Sequence, residues 1–173
     1  MAPPDPDRLR SLLELPVAGK LLDVGGGTGR LTQALRGLVD ETVVLDESAA
    51  MLEQARLKGL TVMRGKAEQL PFADGTFARI LVVDAFHHLQ DQRQAAVELL
   101  RVLAPGGRIV VEEPNVEQLA VRLLALAEKL ALMRSHFHPP VRVQQIFEAA
   151  GGSVRLVRDD RTFWAVVTKP GPL

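Results

Sequence analysis

Apolar, β-branched runs alternate with stretches of helical period along most of the chain, and this alternation constrains the fold more than any other feature of the sequence. Strands are predicted near 20–24, 42–46, 60–64, 79–84 and 107–113, with a terminal pair near 153–158 and 162–168. Helices are predicted near 29–38, 48–58, 92–103, 116–133 and 141–149. Strands that each lead into a helix belong to a parallel sheet, because the chain must cross back over the sheet before the next strand, and the crossovers cover both faces. Only Arg158-Asp159-Asp160-Arg161 separates the last two runs, too little for a crossover, so they form an antiparallel hairpin. Pro105-Gly106-Gly107 is expected to end the helix ahead of the fifth strand, since proline cannot continue a helix and glycine tolerates left-handed dihedrals. The expectation is a three-layer α/β fold with a seven-stranded, mostly parallel sheet.

The length of 173 residues suits one domain, taken as 1–173, and no repeat or interdomain linker interrupts it. Lys and Arg number 21 against 21 Asp and Glu, so there is no basic field to gather a polyanion and nucleic acid is not expected as a partner. The chain has no cysteine, which removes disulfides and thiolate metal sites. The start, Met1 to Asp7, lacks the charged and apolar regions of a secretory signal and is expected to be a loose tail. Arg122, Glu128 and Lys129 interrupt the apolar stretch from Val116 to Met133, so no membrane span is expected and the protein is expected to be soluble and cytoplasmic.

The first strand, Leu21-Leu22-Asp23-Val24, runs into Gly25-Gly26-Gly27-Thr28-Gly29 and then into a helix. Glycines there let a ligand approach the backbone, and the N–H groups at the start of the helix face it, so a small polar or anionic cofactor is implied. A nicotinamide dinucleotide wants G-x-G-x-x-G; starting at Gly25 the third glycine falls on Arg30, and starting at Gly27 it falls on Thr32. Asp23 also opposes a pyrophosphate, whereas its carboxylate can attract an ammonium directly or through water. The next strand ends on Asp46, placed to take both hydroxyls of a ribose. Glu47 follows, Ser48 suits a helix N-cap, and Met51 is a candidate to lay its thioether on an adenine, with a core position as the alternative.

The ordered set of this glycine turn, Asp46, Gly65-Lys66-Ala67-Glu68-Gln69-Leu70-Pro71-Phe72, Asp84-Ala85-Phe86-His87-His88-Leu89 and Arg101-Val102-Leu103-Ala104-Pro105-Gly106-Gly107-Arg108 spans most of the chain. It resembles the class I S-adenosylmethionine-dependent methyltransferases of the small-molecule kind, which include the ubiquinone and menaquinone biosynthesis enzymes. The resemblance implies a Rossmann-like methyltransferase fold, S-adenosyl-L-methionine as cofactor and methyl transfer as activity. The glycine turn with Asp23, Gly25, Gly26, Gly27 and Gly29, and Asp46 after the second strand, are the cofactor-binding part of the set that carries the resemblance, and Glu47 and Met51 beside Asp46 are further cofactor-binding candidates. Ala67 and Glu68 fall at the adenine edge, with Lys66 where the family commonly has an acidic residue. Asp84 and Ala85 fall at the strand end that flanks the methionine part and opens toward the acceptor. Amino-methylating DNA enzymes are similar to one another in an Asn-Pro-Pro-aromatic motif after the fourth strand; here that position reads Asp84-Ala85-Phe86-His87, and His138-Pro139-Pro140 comes too late.

Methyl transfer from a sulfonium is an in-line displacement, so alignment and exclusion of water can supply much of the catalysis and a base is optional. His87 and His88 follow the fourth strand on the ligand side of the sheet; one is expected to face the crevice, and His87 is assigned the catalytic, acceptor-side role. A metal site is not expected, since adjacent histidines point apart. Glu112 and Glu113 are expected at a solvated strand end, with one carboxylate as the alternative to orient an acceptor hydroxyl or amine, and His136 and His138 are expected in a surface loop, with the pocket mouth as the alternative. The apolar arc from Val116 to Met133 is wider than one buried stripe requires. In the enzymes the chain resembles, the insertion after the fifth strand helps wall the acceptor site, which implies a small, apolar or partly apolar acceptor; packing against the domain or against a second subunit in a homodimer suits the arc equally. Only 19 residues precede the first strand, so an open cleft is expected unless a partner closes it. The alternative to an enzyme is a cofactor-binding subunit inactive without a partner.

Overall fold

A computed structural model describes residues 4–115 and 136–171. Its elements are α1 (Pro6–Leu12), β1 (Lys20–Val24), α2 (Arg30–Leu35), β2 (Glu41–Asp46), α3 (Ala49–Leu57), β3 (Thr61–Arg64) and β4 (Phe77–Val83). A single 3-10 turn (Phe86–His88) leads to α4 (Gln92–Val102) and β5 (Leu103–Pro114). After the second described stretch begins come α5 (Pro140–Ala149), β6 (Ser153–Arg158) and β7 (Thr162–Thr168). The strands form one seven-stranded sheet in the order β3-β2-β1-β4-β5-β7-β6. β1 to β5 are parallel, and β7 inserts antiparallel between β5 and β6 as the second arm of the hairpin.

Alternation along the buried strands assigns each side chain to a layer. Leu22, Val24, Ile80, Val82, Ile109 and Val111 face α4 and α5, where Ala95, Leu99, Val143 and Phe147 complete the larger core. Their neighbours Leu21, Leu81, Val110, Trp164 and Val166 face the other way, onto Leu9 and Leu12 of α1 and Leu35 of α2. A third, small cluster joins Val44 of β2 to Leu52, Ala55 and Leu60. Ser48 caps α3 as expected, its hydroxyl accepting the Met51 N–H at 3.4 Å.

Two expectations are corrected. The N-terminal tail is helical from Pro6: Asp5 caps the helix by accepting the Asp7 N–H, proline stands in the first turn where its missing N–H costs nothing, and Leu9 is completely buried. Pro105-Gly106-Gly107 does not terminate α4, which ends at Val102; Leu103 is already extended and pairs with Phe77. The Pro-Gly-Gly run instead forms an irregularity inside β5, after which pairing resumes at Arg79 and Arg108. Lys169 makes this conformation affordable, its Nζ donating to the Leu103 carbonyl at 2.8 Å while its backbone carbonyl accepts the Gly106 N–H at 3.1 Å. The helix expected at 116–133 lies outside the described residues.

Candidate cofactor and acceptor site

The strand order turns back between β1 and β4: β2 and β3 lie on one side of β1, β4 and β5 on the other. Loops leaving neighbouring strands at such a reversal diverge and open a crevice beyond the carboxyl ends of the strands. The glycine turn follows β1 and is strapped to β2, since the Gly25 N–H donates to the Leu45 carbonyl at 2.7 Å and the Gly27 N–H donates to Asp46 Oδ2 at 3.0 Å. The other Asp46 oxygen, Oδ1, accepts the Ser48 N–H at 2.8 Å. Each oxygen keeps a second lone pair, so the carboxylate can still accept from two hydroxyls.

Glycine is required at two places in this turn. Gly25 has a φ of +69°, and a Cβ built on it would stand 2.5 Å from the Ala85 Cβ, closing the gap between β1 and the loop after β4. Gly29 is also left-handed, and a Cβ there would run into Leu60 of the small core. Asp23 lies beneath the turn, 2% exposed, with Thr32 Oγ1 donating to its Oδ2 at 2.5 Å. Burial pushes its carboxyl up to about 6, the Thr32 bond opposing and the nearby Asp46 charge adding to the rise.

A cleft of about 250 Å³ lies over the strand ends, bordered by Gly25, Asp46, Glu47, Gly65, Ala67, Asp84, Ala85, His88 and Leu89 among others. A second pocket of about 200 Å³ shares Gly25 and Asp84 with it and adds Pro4, Asp23, Gly26, Thr28 and Arg30. The structure thus brings together most of the residues expected at the cofactor. Gly27 contributes through its bond to Asp46, and Gly29 through packing. Met51 does not join them: it stands 44% exposed on α3 and lines neither pocket. Glu68 lines neither pocket either; its Oε1 accepts the N–H groups of Gln90 and Asp91 at 2.8 and 3.2 Å, and its Oε2 is buried without a partner among the described residues. Lys66 is exposed, and Gly65 and Ala67 on either side of it border the cleft.

The histidine pair divides. His88 lines the cleft, whereas His87 is 5% exposed and turned to β5, where its Nδ1 lies 2.6 Å from Glu113 Oε2. Asp91, and neither histidine, caps α4, accepting from the N–H groups of Arg93 and Gln94. The end of β5 is not solvated as expected, because its last residues are covered on both faces. Glu113 points to the His87 side, and Glu112 to the other, where Trp164 Nε1 donates to it at 2.7 Å. Burial drives Glu112 up to about 7, the Trp164 bond opposing and the Asp84 charge adding. Asp84 has a φ of +50°, and its N–H donates to the Glu112 carbonyl at 3.0 Å. Pro4, Arg30 and the Glu113 partnership had no signature in the sequence, since tertiary packing alone brings them here; Gly65 was visible as the residue before Lys66-Ala67-Glu68.

The donors and acceptors of this crevice fit S-adenosyl-L-methionine: a carboxylate with lone pairs to spare at the end of β2, a wall of small residues at Gly25, Gly65, Ala67 and Ala85, and backbone N–H groups at the opening of α2. Sheet and crevice together define a class I methyltransferase-type domain with S-adenosyl-L-methionine as its cofactor.

The chain belongs to the methyltransferase domain family, whose model matches residues 22–111. It is 33% identical to a demethylmenaquinone methyltransferase of Mycolicibacterium vanbaalenii over 73% of this chain and 54% of that one. It is 35% identical to the ubiquinone/menaquinone biosynthesis C-methyltransferase UbiE of Haemophilus ducreyi over 54% of this chain and 40% of that one. Identity reaches 40% with the rice chloroplastic 2-methyl-6-phytyl-1,4-hydroquinone methyltransferase 2, over 51% of this chain and 27% of that one. The chain therefore spans between about a quarter and just over half of these relatives. Among solved structures, a putative methyltransferase from Bacillus halodurans superposes with a TM-score of 0.84 at 20% identity, covering 96% of this chain and 99% of that one. No helix among the described residues is long and apolar enough to cross a membrane.

Proposed function

We propose that this chain transfers a methyl group from S-adenosyl-L-methionine to a small, apolar or partly apolar acceptor of the hydroquinone kind. The observation that carries the reading is Asp46, a half-buried carboxylate at the end of β2 whose two oxygens are oriented by the Gly27 and Ser48 N–H groups at the floor of the cleft. When bound, the cofactor supplies an electrophilic methyl carbon whose bond to sulfur breaks as its bond to the acceptor forms. Asp46 takes the ribose hydroxyls, with Glu47 beside it. Gly25, Gly26 and Gly27 let the cofactor lie on the backbone, and the buried Asp23 stiffens their turn from below. Ala67 and Gly65 border the adenine, while Asp84 and Ala85 hold the opposite rim toward the acceptor. The names of the relatives support a quinol-like acceptor, and the apolar sequence from Val116 to Met133 suits one.

Calorimetric titration with S-adenosyl-L-methionine and its demethylated product tests the cofactor, and incubation of labelled cofactor with substituted hydroquinones tests the acceptor. One cofactor per chain and label transfer to a hydroquinone are expected. Exclusion of the cofactor would sink the reading. Cofactor binding without turnover until a second chain is added would favour the partner-dependent subunit instead.

A further inference from the structure

The loops that follow β3 and β4 supply two facing walls of the cleft, with Gly65 and Ala67 on one side and Ala85, His88 and Leu89 on the other. Their strands are not neighbours. β2 and β1 lie between them in the sheet, so no strand ladder joins the two loops. Apolar packing of Ala67 and Leu70 in the larger core seats the first loop, and one polar side chain crosses from it to the second. That side chain is Glu68, whose Oε1 accepts the N–H groups of Gln90 at 2.8 Å and Asp91 at 3.2 Å, the two residues after Leu89. Asp91 Oδ1 already accepts from Arg93 and Gln94 at the start of α4, so Glu68 takes the next two donors outward and sets where this loop enters the helix. The first loop is anchored at both ends by other groups. Gly65 donates its N–H to the Asp46 carbonyl at 3.2 Å, and Glu98 Oε2 accepts the Leu70 N–H at 2.8 Å. What Glu68 adds is therefore the crossing between the walls.

The geometry points to Glu68 as a positioning residue that holds the wall after β4 against the wall after β3 and so sets the width of the cleft at its nucleoside end. This rests on the methyl-transfer reading, which puts the cofactor in that cleft, and deepens it. Glu68 lines neither pocket and acts through the Gln90 and Asp91 N–H groups. With the crossing lost, the wall carrying Ala85, His88 and Leu89 is free to draw back and a nucleoside between the walls is held less tightly. The Asp46 side of the cleft keeps its own hydrogen bonds.

Three variants of the whole chain separate acceptor, charge and reach. Glu68→Gln keeps an oxygen for both N–H groups, Glu68→Asp keeps the charge one methylene short of them, and Glu68→Ala keeps neither. Amide exchange without ligand reads the crossing: Gln90 and Asp91 should exchange faster than in the wild type in the Ala and Asp variants and at close to the wild-type rate in the Gln variant. Calorimetric titration with S-adenosyl-L-homocysteine and with methylthioadenosine, which lacks the amino-acid part, reads the cleft. For both ligands the Kd should rise roughly 3- to 10-fold in the Ala and Asp variants and stay within about 2-fold of the wild type in the Gln variant. Rescue by Gln but not by Asp is the signature of the crossing, and the Asp and Gln variants carry the comparison if the Ala variant does not fold. Faster exchange at Gln90 and Asp91 with an unchanged Kd for both ligands would overturn the proposal. So would a loss confined to S-adenosyl-L-homocysteine, which would put the effect at the amino-acid end. A wild type that binds neither ligand removes the methyl-transfer reading and this role with it, an outcome distinct from a wild type and variants that all bind equally well.

Discussion

Asp46 does two jobs with one carboxylate, orienting the glycine turn and offering lone pairs to the cleft. A charged hydrogen bond of this kind contributes about 1.5–3 kcal/mol, so Asp46→Ala should raise the cofactor Kd by roughly 10- to 100-fold in calorimetry. A Kd within error of the wild type would show that the ribose is held elsewhere. Gly25→Ala acts through shape instead, because the left-handed φ and the Ala85 Cβ at 2.5 Å leave no room for a methyl. It should destabilise the fold by about 1–3 kcal/mol in urea unfolding and abolish cofactor binding. Both positions are readable from the amino-acid sequence, because a glycine after a strand and an acid at the next strand end carry their geometry locally. The His87 environment is not. Adjacent histidines look equivalent in a sequence, and only the pairing of β4 with β5 shows that one meets Glu113 while the other borders the cleft.

At the scale of elements, α1 covers the sheet face that α2 leaves open. Leu9→Ala should cost about 2–5 kcal/mol, since a completely buried leucine leaves a cavity its neighbours fill only in part. A loss under half of that, measured by urea denaturation, would mean that α1 is loosely docked. The strands and the closing hairpin were legible because parallel strands buried on both faces read as continuous apolar runs. The short α1 was not, as its seven residues carry only two buried leucines amid three prolines and two aspartates upstream and within it. The Pro-Gly-Gly run misled for a related reason. Its local preference is to end a helix, but Lys169, more than sixty residues away in the chain, completes the hydrogen bonds that let it continue a strand.

For the molecule as a whole, two buried acids set a pH dependence. An acid whose folded-state pKa is raised favours the protonated protein: its contribution for Asp23 is complete below the ordinary value of 3.8 and is lost as pH rises through about 6. The span corresponds to about 3 kcal/mol. Glu112 acts in the same sense, from its ordinary value up to about 7. Glu98, held low by Arg101, works oppositely and loses its contribution as pH falls. Comparing Asp23→Asn with the wild type isolates the first term, and urea midpoints from pH 4 to 7 should fall less steeply in the variant. Equal slopes would show that Asp23 does not titrate there.

The small cluster of Val44, Leu52, Ala55 and Leu60 also has a consequence for how the molecule breathes. Among the described residues it is the buried apolar contact between α3 and the outer flank of β2, to which the edge strand β3 is paired through its backbone, whereas β1, β4 and β5 are clamped by the two larger cores. Amide hydrogens of α3 and β3 should therefore exchange with deuterium through a partial opening of that corner, well before those of the central strands report global unfolding. Because Asp46 sits at the root of the same corner, a bound nucleoside should slow exchange there more than anywhere else, making the least stable quarter of the sheet the part that ligand binding consolidates.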